Sequence, residues 1–426
     1  MADRKDLERG APLAGETLLS ASEALKIILA SAGTVQAETL PLSQAWGRIL
    51  AGAVRADRDL PPFPRVAMDG FAVRAADFSA GQAKLRIAGT IASGDAWDRG
   101  DLKAGSCLRI MTGAPLPPGA DAVVQVEKSR LSESGDEVIL EEPSIGEGLN
   151  VHPQGADARA GDILLSPGEV LGAGHIAVMA SVGAARVTVS RAVRVAVLST
   201  GREIVPPAES PLPFQIRNSN GPALRAYFCE TPWVQAEEKG IVPDALDATE
   251  AAIDRALEQA DVLILSGGVS AGEFDYVPQA LENLGVRKGF HKVAMRPGMP
   301  LWFGKAPSGT LVFGLPGNPV SVLVTCREFV MPALRKLAGA REVLRPGVFV
   351  PAAARFAKRK GFTVFVLSNL VVEGERTGCV PVPYHGSGHF LAAAVSDGLA
   401  VVPPGKEVVE PGEMLEFHPW EWRRAW

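Results

Sequence analysis

Apolar residues near the start of the chain recur at helical spacing: Leu25, Ile27, Ile28 and Leu29 follow Ser20-Ala21-Ser22-Glu23, a capping-box pattern, and Gly33 closes the segment. A second short helix is expected after Ser43. From about Val54 to Val189 the period shortens. β-Branched runs such as Ala122-Val123-Val124-Gln125-Val126 and Arg186-Val187-Thr188-Val189 are separated by Gly, Pro and Asp, which predicts a β-rich region in two lobes. Between Val193 and Leu337, apolar strand-like runs alternate with amphipathic segments. Arg194 to Leu198 reads as a buried strand ending at Ser199-Thr200-Gly201, followed by a helix with Pro222 in its first turn. Asp247 is placed to cap a helix reaching Ala260, and Asp261 to Leu265 is the next strand. Thr310 to Phe313 then runs through Gly314 into a loop and a further helix. Such repeated β-loop-α units predict a mostly parallel sheet with helices on both faces. From about Pro346 the β-branched runs return, in Phe362 to Leu367 and Leu399 to Val402, and predict a small β-barrel-like tail.

The expected fold is therefore multidomain, α/β plus β. A β-rich N-terminal region with its helical segment spans residues 18–190, a central three-layer α/β domain 191–340 and a C-terminal β domain 346–420. The length of 426 residues agrees, because one hydrophobic core rarely organises so long a chain. Hydrophobic residues at 47% and charged residues at 21% exclude a mainly disordered protein. A net charge of -5 offers no basic field to a polyanion, so nucleic acid is not an expected partner and an anionic ligand needs a local pocket. Cys107, Cys229, Cys326 and Cys379 lie too far apart in sequence to encode a zinc site or a redox pair, and are expected as buried apolar residues in a reducing compartment. The charged start from Met1 to Gly10 lacks the apolar core of a secretory signal, and Arg186 interrupts the richest apolar stretch, Ile176 to Val189. A cytoplasmic protein without membrane contact is expected.

Ligands of open parallel sheets bind beyond the carboxyl ends of the strands, where loops and helix N-termini present free N–H groups. Three such ends carry unusual sequence: Thr200-Gly201 with Glu203; Ser266-Gly267-Gly268-Val269-Ser270 with Asp275; and Pro316-Gly317-Asn318-Pro319. Each glycine-rich turn suits a phosphate and equally suits a plain turn. Glu203, Asp275 and Asp244 offer the oxygen-only ligands that Mg²⁺ takes when it bridges a pyrophosphate, and Lys292 and Arg296 could neutralise an oxyanion. In the β-rich half, the loop around Asp69 and the turn around Thr112 concentrate prolines and packing residues as functional loops do.

Read in order, Met68-Asp69-Gly70-Phe71-Ala72, Met111-Thr112-Gly113-Ala114, Gly161-Asp162, Ser199-Thr200-Gly201, Ser266-Gly267-Gly268-Val269-Ser270 and Leu315-Pro316-Gly317-Asn318-Pro319 resemble the MoeA family, which includes the E domain of gephyrin. The resemblance extends from about Ser20 to Glu416. It implies a homodimer whose central domain binds molybdopterin, and insertion of molybdate into adenylylated molybdopterin with release of AMP, dependent on Mg²⁺. Transient contact with the molybdopterin adenylyltransferase is a further expectation. Carried over by position, the family's catalytic residues fall on Asp69, Thr112, Asp157, Glu203, Asp244, Asp275, Lys292 and Arg296, and its ligand-binding loops on Thr200, Gly201, Ser266 to Gly268, Ser270, Pro316 to Pro319 and Ser387. Glu203, Asp244 and Asp275 are the implied metal ligands. The chain departs from the pattern at Val66, where the family often has Ser; at His152, Pro153, Gln154 and Ala156, where it often has arginines and an acid; and at Met299, where many bacterial members have Lys. The alternatives are an adenylyltransferase, which uses a related α/β domain, and a non-catalytic paralogue that binds molybdopterin or scaffolds a partner.

Overall fold

A computed structural model describes residues 18–268, 276–374 and 376–420. By contacts the chain divides into two compact units, one of residues 52–166 and 173–186 and the other holding the rest.

The larger unit is built on a six-stranded sheet in the spatial order Val234–Val242, Val193–Thr200, Val262–Ser266, Leu311–Leu315, Trp302–Lys305, Arg287–His291. The first four strands are parallel and the last two antiparallel. Period-2 alternation sends neighbouring side chains of one strand to opposite faces. Val195 and Val197 pack with Leu224 and Phe228 of the helix Asn220–Cys229 and with Ala24 and Ile28 of the helix Ala21–Ser31. Ala196 and Leu198 pack with Ile253 and Leu257 of the helix Leu246–Gln259 and with Val277 and Leu281 of the helix Tyr276–Asn283. Both faces are thus covered, giving the expected three layers. The first strand in the chain, Val193–Thr200, lies between the second and the third, so the strand order reverses around it. A crevice forms beyond the strand ends at such a reversal.

A long helical segment follows the strand Leu311–Leu315, running as Pro319–Thr325, a π turn at Cys326–Val330 and Met331–Leu337. The widened turn has a covalent reason. Pro332 has no N–H to give to the carbonyl of Glu328, and Met331 N–H reaches back to the carbonyl of Cys326. The C-terminal β domain pairs Thr363–Glu373 with Gly398–Val402, then Met414–Pro419, then Val348–Pro351. The hairpin strand Arg376–Pro381 returns to meet Ala352 through Cys379, which closes the sheet towards a barrel.

The smaller unit carries a six-stranded sheet in the order Ala122–Gln125, Gly70–Val73, Ser106–Ile110, Gln82–Ile91, Glu137–Glu141, Ser129–Leu131. Phe71 and Val73 face one apolar cluster and Ala72 the other.

Several local expectations are corrected. Ser43 lies within a single 3-10 turn, Leu42–Gln44, rather than ahead of a helix, because Gly47 at φ 73° turns the chain away. Asp247 sits in the first turn of its helix, where its charge complements the dipole; the capping position is Ala245, without a side-chain bond. The helix Ala173–Ser181 lies where strands were expected. Cys107, Cys326 and Cys379 are buried, but Cys229 is exposed at the end of its helix. Among the described residues no helix is long and apolar enough to cross a membrane.

Candidate active site

The crevice at the strand reversal opens into a cavity of about 1010 Å³. Thr200, Gly201 and Glu203 lie at the end of the strand Val193–Thr200, Asp244 follows Val234–Val242, Gly267 and Gly268 follow Val262–Ser266, and Pro316 to Pro319 follow Leu311–Leu315; all of them line it. The glycine pair is dictated by close approach as well as by its backbone. A Cβ on Gly267 would stand 2.5 Å from the carbonyl oxygen of Thr200, and one on Gly268 2.6 Å from Thr200 Oγ1, with φ at 92° and 65°. Adjacent loops can therefore touch only without side chains there.

Thr200 is 5% exposed, and its Oγ1 has no hydrogen-bond partner among the described residues. An unsatisfied buried hydroxyl costs about 1–3 kcal/mol, so a group left this way at the wall of a cavity marks a place for a ligand.

Two further residues hold the loops, and sequence reading passed them over. Asn220 Nδ2 donates to Ser266 Oγ at 2.9 Å and to the Gly317 carbonyl at 2.7 Å, tying the second glycine loop to the proline loop. Asn218 Nδ2 donates to Ser199 Oγ at 3.0 Å, and its Oδ1 accepts from Gly221 N–H. The run Arg217-Asn218-Ser219-Asn220 ahead of an apolar helix was the available signal. Ser266 is consequently buried beneath the loop as Asn220's partner, at 1% exposure, and is not part of the cavity wall.

Part of the remaining wall comes from the C-terminal domain. Ser387 Oγ accepts from Asn318 Nδ2 at 2.8 Å and its carbonyl accepts from Val320 N–H, while Gly388 and Phe390 line the cavity. Lys292 and Arg296 are not among the lining residues. The Arg296 guanidinium lies over the Phe362 ring, 4.9 Å from its centroid. Burial, and then the nearby charge of Arg359, hold its pKa below the usual arginine value.

Glu203 and Asp244 both face the cavity, and Asp244 Oδ2 accepts the Arg202 N–H at 3.1 Å. Among the described residues no group of three His, Cys, Asp or Glu could hold a metal; Asp275 and Ser270 lie outside the described residues. Two carboxylates completed by phosphate oxygens and water are the donor set Mg²⁺ takes, so the residues present fit that ion.

In the smaller unit, Thr112 donates to one oxygen of Asp69 twice, from its hydroxyl at 2.6 Å and its N–H at 2.7 Å. The side-chain bond first, and then the backbone bond, hold the Asp69 carboxyl below its ordinary range, which leaves an exposed, oriented carboxylate. The residues lie 43 positions apart; the sheet joins them, because Gly70 pairs with Ile110. Asp157, on the rim of the same unit, meets His152 Nε2 at 3.0 Å.

Three family models match the chain in order: the MoeA N-terminal region (domain I and II) over residues 19–183, a probable molybdopterin binding domain over 196–336, and the MoeA C-terminal region (domain IV) over 350–420. The chain is 31% identical to the molybdopterin molybdenumtransferase of Synechocystis sp. across 95% of its own length and 100% of the relative's. It is 33% identical to that of Staphylococcus aureus strain MRSA252 across 93% and 94%. The crystal structure of a molybdopterin biosynthesis MoeA protein from Pyrococcus horikosii matches with a TM-score of 0.78 at 30% identity, covering 95% of this chain and 100% of that one.

Proposed function

The chain belongs to the MoeA family of molybdopterin molybdenumtransferases, and we propose that it transfers molybdate to the dithiolene of adenylylated molybdopterin, releasing AMP. It is a transferase of molybdenum cofactor biosynthesis. Similarity along nearly the whole chain supports this reading over an adenylyltransferase or a scaffold.

The observation that carries the proposal is the strand-end cavity whose glycine and proline loops surround the unsatisfied Thr200 hydroxyl, with Glu203 and Asp244 beside it. The loops offer backbone N–H groups to phosphate, and Thr200 Oγ1 gains a partner when a ligand enters. Glu203 and Asp244, joined by Asp275, would hold Mg²⁺ against the phosphates. When bound, that ion supplies stabilisation of the negative charge that develops as the anhydride opens. Asp69, oriented by Thr112, stays ionised and serves the same reaction from the smaller unit.

A homodimer would bring Asp69 and Thr112 of one subunit to the cavity of the other. Exposed apolar side chains at the cavity mouth, Ile216 and Phe390, continue outward into Phe214 and Leu391, a surface that a second copy would cover. The protein acts in the cytoplasm, where it meets the adenylyltransferase transiently to receive its substrate.

Purified protein incubated with adenylylated molybdopterin, molybdate and Mg²⁺ should release AMP and yield molybdenum cofactor. Adenylylation of free molybdopterin from ATP, or binding without turnover, would reject the proposal.

A further inference from the structure

A cluster of charged groups away from the cavity joins the same two bodies that form its wall. His418, on the strand Met414–Pro419, places Nδ1 3.0 Å from Glu328 Oε1 and Nε2 3.1 Å from Glu416 Oε1. Glu328 belongs to the π turn and also accepts from Arg327 Nη1 at 2.6 Å, while Arg327 Nε donates to the Pro419 carbonyl at 3.0 Å. The His418 and Glu328 side chains are 13% and 11% exposed. Carboxylates only accept, so Nδ1 donates to Glu328. The other charged groups around the small cavity here are Arg335 from the helix and Arg345 from the segment that follows it. Phe365 packs near the ring, 6.4 Å between centroids.

The helical segment that carries Glu328 begins at Pro319, on the active-site cavity, about 13 Å away along its axis. The strand carrying His418 runs on to Trp420, whose Nε1 donates to Ser396 Oγ and whose N–H donates to the Asp397 carbonyl. Those residues directly follow the helix Phe390–Val395. The C-terminal domain is therefore pinned to one helical segment twice, at Ser387 beside the cavity and at His418.

We infer that Arg327, Glu328, Glu416 and His418 form a positioning cluster that seats the C-terminal domain, and through it the part of the cavity wall that Gly388 and Phe390 supply. The inference rests on the reading of that cavity as the substrate site.

The test compares the full-length parent with His418→Phe and His418→Gln. Hydrogen exchange of amides 385–391, read without substrate, should speed up about tenfold or more in His418→Phe. His418→Gln, which keeps donors for one carboxylate, should fall between them. In AMP release, KM should rise several-fold with kcat within about threefold, as expected for a displaced binding wall. A variant that loses thermal stability but keeps parental exchange at 385–391 would overturn the inference. Altered exchange in a protein that never releases AMP would instead reject the functional reading and leave the positioning cluster standing.

Discussion

Replacing Asn220 tests whether the loops around the cavity are held by one amide. Its Nδ2 serves Ser266 Oγ at 2.9 Å and the Gly317 carbonyl at 2.7 Å from a position 7% exposed to solvent. Asn220→Ala removes both bonds and leaves one buried acceptor, Ser266 Oγ, because Gly317 is exposed and its carbonyl can turn to water. One unsatisfied buried group costs about 1–3 kcal/mol. At roughly 2 °C per kcal/mol for a unit of this size, Tm should drop by about 2–6 °C. Asn220→Asp has nearly the same shape and separates volume from donation. Its carboxylate can still accept from Ser266, but it faces the Gly317 carbonyl with like against like, so it should cost at least as much as alanine. Because the freed loops are the two that line the cavity, AMP affinity should also weaken about tenfold, or about 1.4 kcal/mol. Differential scanning calorimetry and titration calorimetry with AMP on both variants supply the readings. An Asn220→Asp protein with parental Tm and parental AMP affinity would refute the reasoning, since no other feature of that substitution could restore the lost donor.

Thr112→Val removes the stronger of the two bonds that lower the Asp69 pKa and keeps the N–H. A depressed carboxyl stays ionised to lower pH, so the acid limb of the AMP-release profile should move upward in the variant; coincident limbs would exclude Asp69 from the rate. Asp261 is held at a pKa of about 2: burial would raise it, but the Arg191 guanidinium and the Arg194 N–H outweigh that burial. Its stabilisation is present above the unfolded carboxyl pKa near 3.9 and fades as pH falls towards about 2, so the denaturant-midpoint gap between parent and Asp261→Asn should be wide at pH 7 and narrow near pH 2. A gap independent of pH would show the ion pair to be inert. Asp69→Ala mixed with Asp244→Asn should recover part of the activity neither shows alone, and verified heterodimers without recovery would place both residues on one subunit's site.

The central domain was legible because a sheet buried on two faces writes itself as short apolar runs, and the ends of Val193–Thr200 and Val262–Ser266 lie within two residues of their expected places. The helix Ala173–Ser181 was not. Its sequence, AGHIAVMAS, has no charged face and buries only Met179, so neither helical period nor capping residues set it apart from the neighbouring β-branched runs. In the site, the glycine and proline loops could be read because their residue types are unusual in any setting. Asn218 and Asn220 could not, since an asparagine before a helix is commonplace until its partners, 46 and 97 positions away for Asn220, are known. Asp247 failed for a similar reason: an acid near a helix start can cap or can occupy the first turn, and the choice is a matter of one residue of register.

The positions where the chain departs from its family's habit have separate physical explanations. Val66 is 1% exposed, pairs with Val151 and packs in the same cluster as Ile110 and Val123, so a side chain there serves the core, and a hydroxyl would need a buried partner. Met299 packs against the C-terminal β core with Phe362 and Val364 as neighbours in that cluster, an apolar contact that a lysine head group could not complete. His152 is different. It contacts Asp157 on the surface, where one carboxylate–imidazole pair stands in for several charges. The first two substitutions therefore act on packing and leave the cavity walls unchanged. The third changes charge beside Asp157, a residue carried over as catalytic, and His152→Arg is the single exchange among them expected to alter the salt dependence of turnover without altering Tm.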